Sequence, residues 1–164
     1  IPVLAAGGFA DGRGLAAAML MGAAGVQMGT AFLVAEECEI AQGYKDKVLT
    51  AQDTDTVITG RSTAHVVRSI KNQMTQSYLE IEGSCADNKT EQQGYGTMAL
   101  EAREQLEKLG AGALRRATEG DVEMGALMAG QIAGLVKEEA PAAVIIDRIM
   151  EEAVAVLQNA QKLL

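Results

Sequence analysis

Two glycine turns, each closing a short apolar run within the first thirty residues, restrict this chain more than any other feature. Residues 1–6 (Ile-Pro-Val-Leu-Ala-Ala) form an uninterrupted apolar run of the kind carried by parallel strands buried on both faces. Gly7 and Gly8 follow, where the backbone can turn sharply and no Cβ stands between its N–H groups and a ligand. Asp11 is placed to cap a helix of small residues over 15–21, and Gly22 and Gly25 lead into a second short strand ending at Gly29-Thr30. Read as adjacent parallel strands, the two runs bring both glycine turns to the same C-terminal edge. Backbone N–H groups exposed at such an edge form a cradle for phosphate.

Composition narrows the surroundings of that unit. A chain of 164 residues is long enough for a real core. Hydrophobic residues make up 48% and aromatics only 3%, which favours closely packed helices over an aromatic-lined β-sandwich. No apolar run approaches the roughly 20 residues that span a bilayer, and no signal peptide opens the chain, so no membrane role is expected. The chain does not open with Met, as expected of one that begins in the middle of a fold. Cys38 and Cys85 lack CxxC spacing and His neighbours, and read as idle thiols of a cytoplasmic protein. Asn88-Lys89-Thr90 matches a glycosylation sequon but has no secretory context. With one His and two distant Cys, neither a metal site nor a nucleophilic triad can be assembled.

The net charge of −8 argues against nucleic acid as a partner. The acids are unevenly spread, however. Residues 56–79 contain no Asp or Glu, yet hold Arg61, His65, Arg68 and Lys71. Such an island on an acidic protein reads either as a dock for an anionic partner or cofactor, or as a solvated loop.

Further along, 36–53 reads as a loop and a short helix with Tyr44, Val48 and Leu49 on one face. Residues 54–59 are rich in β-branched types and read as a strand ended by Gly60. Residues 66–81 have roughly helical apolar spacing, although their first part reads equally as extended. Residues 83–97 are polar and turn-rich, the clearest loop. Helices are expected over 98–109, 113–117 and 124–136, the last buried on most sides, and over an amphipathic segment after Pro141. The expected organisation is a strand-helix-strand unit (1–34), a cap or insert (35–97) and a C-terminal helical segment packing back on the first unit (98–164). Two or three strands do not make a parallel sheet that stands alone, so the fold class is α/β, the C-terminal portion of a larger fold.

A Rossmann site competes for the glycine turns, but Gly7-Gly8-Phe9-Ala10-Asp11-Gly12 does not match GxGxxG, and no acid closes the second strand. A (β/α)8 barrel, which holds phosphate after its seventh and eighth strands, fits better. Met128-Ala-Gly-Gln131 reads from pattern as part of a core helix. Its small residues would also let a flat ligand approach, with Gln supplying hydrogen bonds.

Three segments together carry a resemblance: residues 1–12, Gly25-Val-Gln-Met-Gly-Thr30, and Gly120-Asp-Val-Glu-Met-Gly-Ala-Leu-Met-Ala-Gly-Gln-Ile-Ala-Gly134. They resemble the nitronate monooxygenase and FMN-dependent enoyl-acyl-carrier-protein reductase superfamily. His65-Val-Val-Arg-Ser-Ile-Lys-Asn72 and Leu109-Gly-Ala-Gly-Ala-Leu114 are similar to its enoyl-acyl-carrier-protein reductase II branch in particular. The resemblance implies the last part of a TIM barrel with an appended helical segment, FMN at the strand ends and NAD(P)H as co-substrate. It implies Gly7, Gly8, Gln27, Gly29 and Thr30 around the FMN phosphate, and Met128 and Gln131 near the flavin. It implies acyl carrier protein or another acyl thioester as partner, with Arg61, Arg68 and Lys71 as its candidate dock, and a homodimeric complete protein. No catalytic residue is expected in this chain, since the family's His belongs to an earlier part of the barrel; the chain alone is expected to be inactive. Relatives often carry Arg after Gly-Thr where this chain has Ala31. Nitronate monooxygenase, or a non-catalytic FMN- or phosphate-binding piece, are the alternatives.

Overall fold

The opening run forms β1 (Leu4–Ala6), and the small-residue stretch after the glycine turn forms α1 (Gly12–Leu20). β2 (Gly25–Gln27) then pairs parallel with β1, in the register Leu4↔Gly25, Ala5↔Val26 and Ala6↔Gln27. The chain continues through α2 (Thr30–Leu33), α3 (Gln42–Thr50), β3 (Thr56–Thr59), β4 (Val67–Ile70), α4 (Gln73–Ala86), α5 (Leu100–Gly110) and α6 (Ala113–Glu119). A 3-10 helix, η1 (Gln131–Leu135), and the long α7 (Ala142–Gln161) complete it. The computed structural model describes residues 1–86 and 100–162, and the sequon at 88–90 lies outside them. The chain divides into two units, one made of Ile1–Glu39, Val48–Asp53 and Gly130–Leu164, the other of Ile40–Lys47 and Thr54–Ala129.

In the first unit α1 lies against α7. Leu15 and Ala16 of α1 meet Ile145, Ile149 and Ala153 of α7, which recur every four residues and so share one helix face. Gly12 makes the close approach possible: a Cβ there would overlap the backbone N of Ala153 and the carbonyl O of Ile149. The Gly12 N–H also donates to Glu152 Oε2 at 2.8 Å. Asp11 caps α1 as its position predicts, with Oδ1 accepting from Gly14 N at 3.0 Å.

Partial burial opposes ionisation of Asp11. Hydrogen bonds from Arg13 and the Gly14 N–H, with the Arg13 charge, outweigh it and hold the pKa below the ordinary 3.8. A folded value below the unfolded one means a contribution that is whole above pH 3.8 and is lost as the pH falls through the folded value. Asp11→Ala is therefore expected to lower stability by about 1 kcal/mol at neutral pH. In denaturant melts the gap from the parent should close as the pH falls below 3.8; a gap independent of pH would show that the carboxylate charge contributes nothing.

The second unit carries an antiparallel hairpin, β3 against β4, from Thr56↔Ile70 to Thr59↔Val67. Met74 and Tyr78 of α4, Leu106 of α5, Ala113 of α6 and Ala126 form its core. Asn72 ties the β4–α4 corner down. Its Oδ1 accepts from Thr75 N at 3.0 Å, and its Nδ2 donates to the carbonyls of Val122 (2.9 Å) and Gly125 (2.7 Å). Leu109-Gly-Ala-Gly-Ala-Leu114 is the α5–α6 turn, with Gly112 at φ +65°. Arg116 clamps it by donating to the carbonyls of Leu109 (2.9 Å) and Ala111 (2.6 Å).

Three expectations change. The first part of 66–81, which reads equally as extended, is strand β4, so the described residues hold four strands in two separate pairs where two or three are expected. Residues 83–86, expected in the polar loop, complete α4. The apolar stretch 124–136 is buried in part, with Gln131 and Leu135 exposed, and is not an α-helix. Ile70 N donates to the Leu127 carbonyl (2.9 Å), Ser69 and Met128 form an antiparallel bridge, and only η1 is helical. Periodicity cannot separate a buried extended run from a buried helix, and the open edge of β4 takes the backbone bonds. β1 keeps Leu4 60% exposed among the described residues, and a parallel pair is not expected to stand alone. An apolar run records that a strand needs cover; it does not supply the cover.

Candidate functional site

The parallel register carries the two glycine turns to one edge of the first unit. Ala6 and Gln27 are register partners, so Gly7-Gly8 and Met28-Gly29 leave the sheet side by side. Gly7 and Gly8 adopt φ of +87° and +81°, a region that L side chains rarely occupy, and a Cβ at either would meet nothing within 4 Å. Gly29 also faces open space, but with an ordinary φ of −105°. Gly12 and Gly134 belong to the same motifs and do the opposite. A Cβ on Gly12 would run into α7, and one on Gly134 would lie 2.9 Å from Asp53 N. The glycines thus divide into those that pack backbone on backbone and those whose backbone stays open.

Thr30 is buried, and its Oγ1 accepts from Gly130 N at 2.9 Å. That bond, across a hundred residues of sequence, fixes the start of η1 beside the end of β2. It brings the exposed Gln131 to the same edge as Gly7, Gly8, Gln27 and Gly29. The sequence reading missed this bond, and no local signal announces it. Met128 is placed in the second unit, where it is half-buried and its carbonyl accepts from Tyr44 Oη at 2.7 Å. Ala31, at the position where relatives often carry Arg, is 4% exposed.

The basic residues lie on and around the hairpin of the second unit. Arg61 and His65 are in the β3–β4 loop, Arg68 is within β4, and Lys71 follows it. Arg68 Nη1 donates to Thr56 Oγ1 at 3.0 Å. Among the described residues, none of the four side chains is ion-paired with an acid. A groove of about 550 Å³ runs beside them, lined by Val57, Leu79 and Thr75 with Lys71 and Glu80. The island is less free of acid in space than in sequence. Glu82, three residues past its end, reaches back from α4 and accepts from Ser62 N at 3.0 Å. Among the described residues no group of three His, Cys, Asp or Glu side chains is placed to hold a metal ion, and no helix is long and apolar enough to cross a membrane.

Comparison with known proteins fits this geometry. The nitronate monooxygenase family model matches residues 1–152. A probable nitronate monooxygenase from Staphylococcus saprophyticus is 42% identical over 102 residues, which are 62% of this chain and 29% of that protein. Among solved structures, FabK from Thermotoga maritima superposes with a TM-score of 0.84 at 37% identity, covering 100% of this chain and 48% of that one. A nitroalkane oxidase from Streptomyces ansochromogenes gives a TM-score of 0.65 at 28% identity, covering 96% and 41%. The chain thus spans about half the length of FabK and less of the staphylococcal protein it matches. The fold is mixed α/β, similar to these two solved proteins, which are TIM barrels. Family members are FMN-dependent oxidoreductases. A family match over nearly the whole chain, and two open glycine turns at one edge of a parallel strand pair, lead to one conclusion: this chain belongs to the nitronate monooxygenase family.

Proposed function

We propose that the complete protein is an FMN-dependent enoyl-acyl-carrier-protein reductase built on a TIM barrel, a cytoplasmic homodimer that uses NAD(P)H as co-substrate. The observation that carries this reading is the open glycine backbone at the shared edge of β1 and β2. Three glycines there, Gly7, Gly8 and Gly29, leave space that a Cβ would fill, as close approach of backbone to a phosphate requires. In this reading the backbone of Gly7, Gly8, Gly29 and Thr30 holds the FMN phosphate. Gln27 and Gln131 offer side-chain amides. When bound, the flavin supplies the hydride chemistry, while the protein supplies position and electrostatics. No proton transfer is assigned to a side chain of this chain. The buried Thr30 hydroxyl acts at one remove, because it orients the Gly130–Gln131 turn.

The likeness to FabK, an enoyl-acyl-carrier-protein reductase II, supports the enoyl substrate: it covers the whole chain at a higher identity and TM-score than the likeness to nitroalkane oxidase. Arg61, Arg68 and Lys71 would then receive the acidic carrier protein. A second reading, oxidation of alkyl nitronates by oxygen, is favoured by the names of the staphylococcal relatives. One assay separates the two. The complete protein is expected to oxidise NADH or NADPH in step with loss of a crotonyl thioester under anaerobic conditions. Nitronate-dependent oxygen uptake without any enoyl turnover would reverse the assignment.

A further inference from the structure

We infer that Glu82 and Tyr78 are positioning residues that hold the β3–β4 loop in the shape in which its cations meet an anionic acyl carrier. This rests on the carrier-protein reading above. The loop has a bond of its own, from Thr63 Oγ1 to the Gly60 carbonyl, but leans on its surroundings. It contains two left-handed residues within five positions, Gly60 at φ +82° and Ala64 at φ +61°, and alanine is disfavoured there. Its restraint comes from one face of α4, where Tyr78 and Glu82 stand four residues apart. The Glu82 carboxylate accepts from Ser62 N (3.0 Å), Ser62 Oγ and Gly60 N (3.4 Å). Tyr78 Oη lies 3.2 Å from Thr63 Oγ1, which in turn contacts the Gly60 carbonyl at 3.3 Å. Two side chains on one helix thus address Gly60, directly after β3, and the loop residues Ser62 and Thr63. Arg61 sits between two of the residues held by Glu82, is exposed, and has no partner of its own among the described residues. An exposed arginine on a free loop would spread its charge over many positions and lose entropy on docking. A pinned loop has already borne that cost.

This role and the simple charge of Glu82 predict opposite signs. As a charge, Glu82 repels an anionic carrier, so neutralising it should tighten binding. As a latch, it presents Arg61, so neutralising it should loosen the loop and weaken binding. Glu80 is the control. It is exposed on the same helix, accepts from Gln76 Nε2 at 3.0 Å, and has no contact with the loop.

The experiment is made on the complete flavoprotein carrying this chain, at low salt, with crotonyl groups delivered on acyl carrier protein and on CoA. Glu82→Gln is expected to raise the KM for the carrier substrate at least about threefold and to leave the KM for the CoA thioester unchanged. Glu80→Gln should lower the carrier KM by about twofold or less. Amide hydrogen exchange at Gly60 and Ser62 should speed up in Glu82→Gln and not in Glu80→Gln. Tyr78→Phe, which keeps the buried ring and removes only the hydroxyl, should shift both readouts in the direction of Glu82→Gln, and it serves if the glutamate variant does not fold. A lower carrier KM in Glu82→Gln, an equal change with both acyl donors, or unchanged exchange at the loop would each overturn the latch. The reading beneath it is tested separately. If Arg68→Glu with Lys71→Glu leaves the carrier KM untouched, the hairpin is no dock and the inference falls with that reading.

Discussion

Gly12→Ala is expected to destabilise the chain by about 3 kcal/mol, near the upper end for an overpacked contact. The added Cβ would overlap Ala153 N and Ile149 O and would lie 2.7 Å from Glu152 Cβ. Two of these are backbone atoms in the middle of α7, which cannot swing aside as a side-chain tip can. Either the two helices separate and expose the Leu15–Ile149 core, or α7 bends. Separation would also stretch the Gly12 N–H bond to Glu152. Urea unfolding of the variant and parent would read the effect as a lower midpoint at a similar slope. A loss below about 0.5 kcal/mol, the range of an ordinary surface substitution, would mean that the α1–α7 contact is looser than described.

Gly29→Ala is expected to behave in the reverse way, with stability unchanged and FMN affinity of the complete protein lowered at least about tenfold, or 1.4 kcal/mol. The position is chosen because its φ of −105° suits alanine and its Cβ would meet nothing within 4 Å. Only an incoming ligand would feel it. Gly8→Val would be the weaker test of the same cradle. At φ +81° any side chain strains the turn, so lost affinity there would not separate a blocked phosphate from a distorted loop. Fluorescence quenching of FMN on titration would give the dissociation constant, and thermal melts of the apoprotein would give the stability. An unchanged dissociation constant in Gly29→Ala would remove Gly29 from the cradle, and a large loss of stability would show that its open space is filled by something else.

Much of this chain is local enough to read directly. Asp11 and the small residues after it cap and form α1, because an N-cap bond spans only three residues. Gly60 ends β3, and α7 shows its buried face at four-residue spacing in Ile145, Ile149 and Ala153. The glycine motifs were visible too, yet their two duties were not. Gly7, Gly8, Gly12 and Gly29 look alike in sequence, and only the neighbours in space distinguish an open turn from a helix crossing. The extended path of 124–130 was hidden for a related reason. Its apolar character demands burial in either conformation, and the choice fell to the open edge of β4, more than fifty residues earlier in the chain.

What the sequence by itself determined is therefore much of what depends on near neighbours along the chain, the Asp11 cap, the glycine turns and the α7 face, together with the family. The tertiary structure alone decided which glycines are open, which acid sits in the basic island, and where Gln131 lies. Glu82 meets Ser62 across twenty residues, and Thr30 meets Gly130 across a hundred. The physical reason is that a hydrogen bond or a van der Waals contact acts over a few ångströms of space whatever the separation along the chain. Periodicity and propensity report only the distances that the backbone itself imposes.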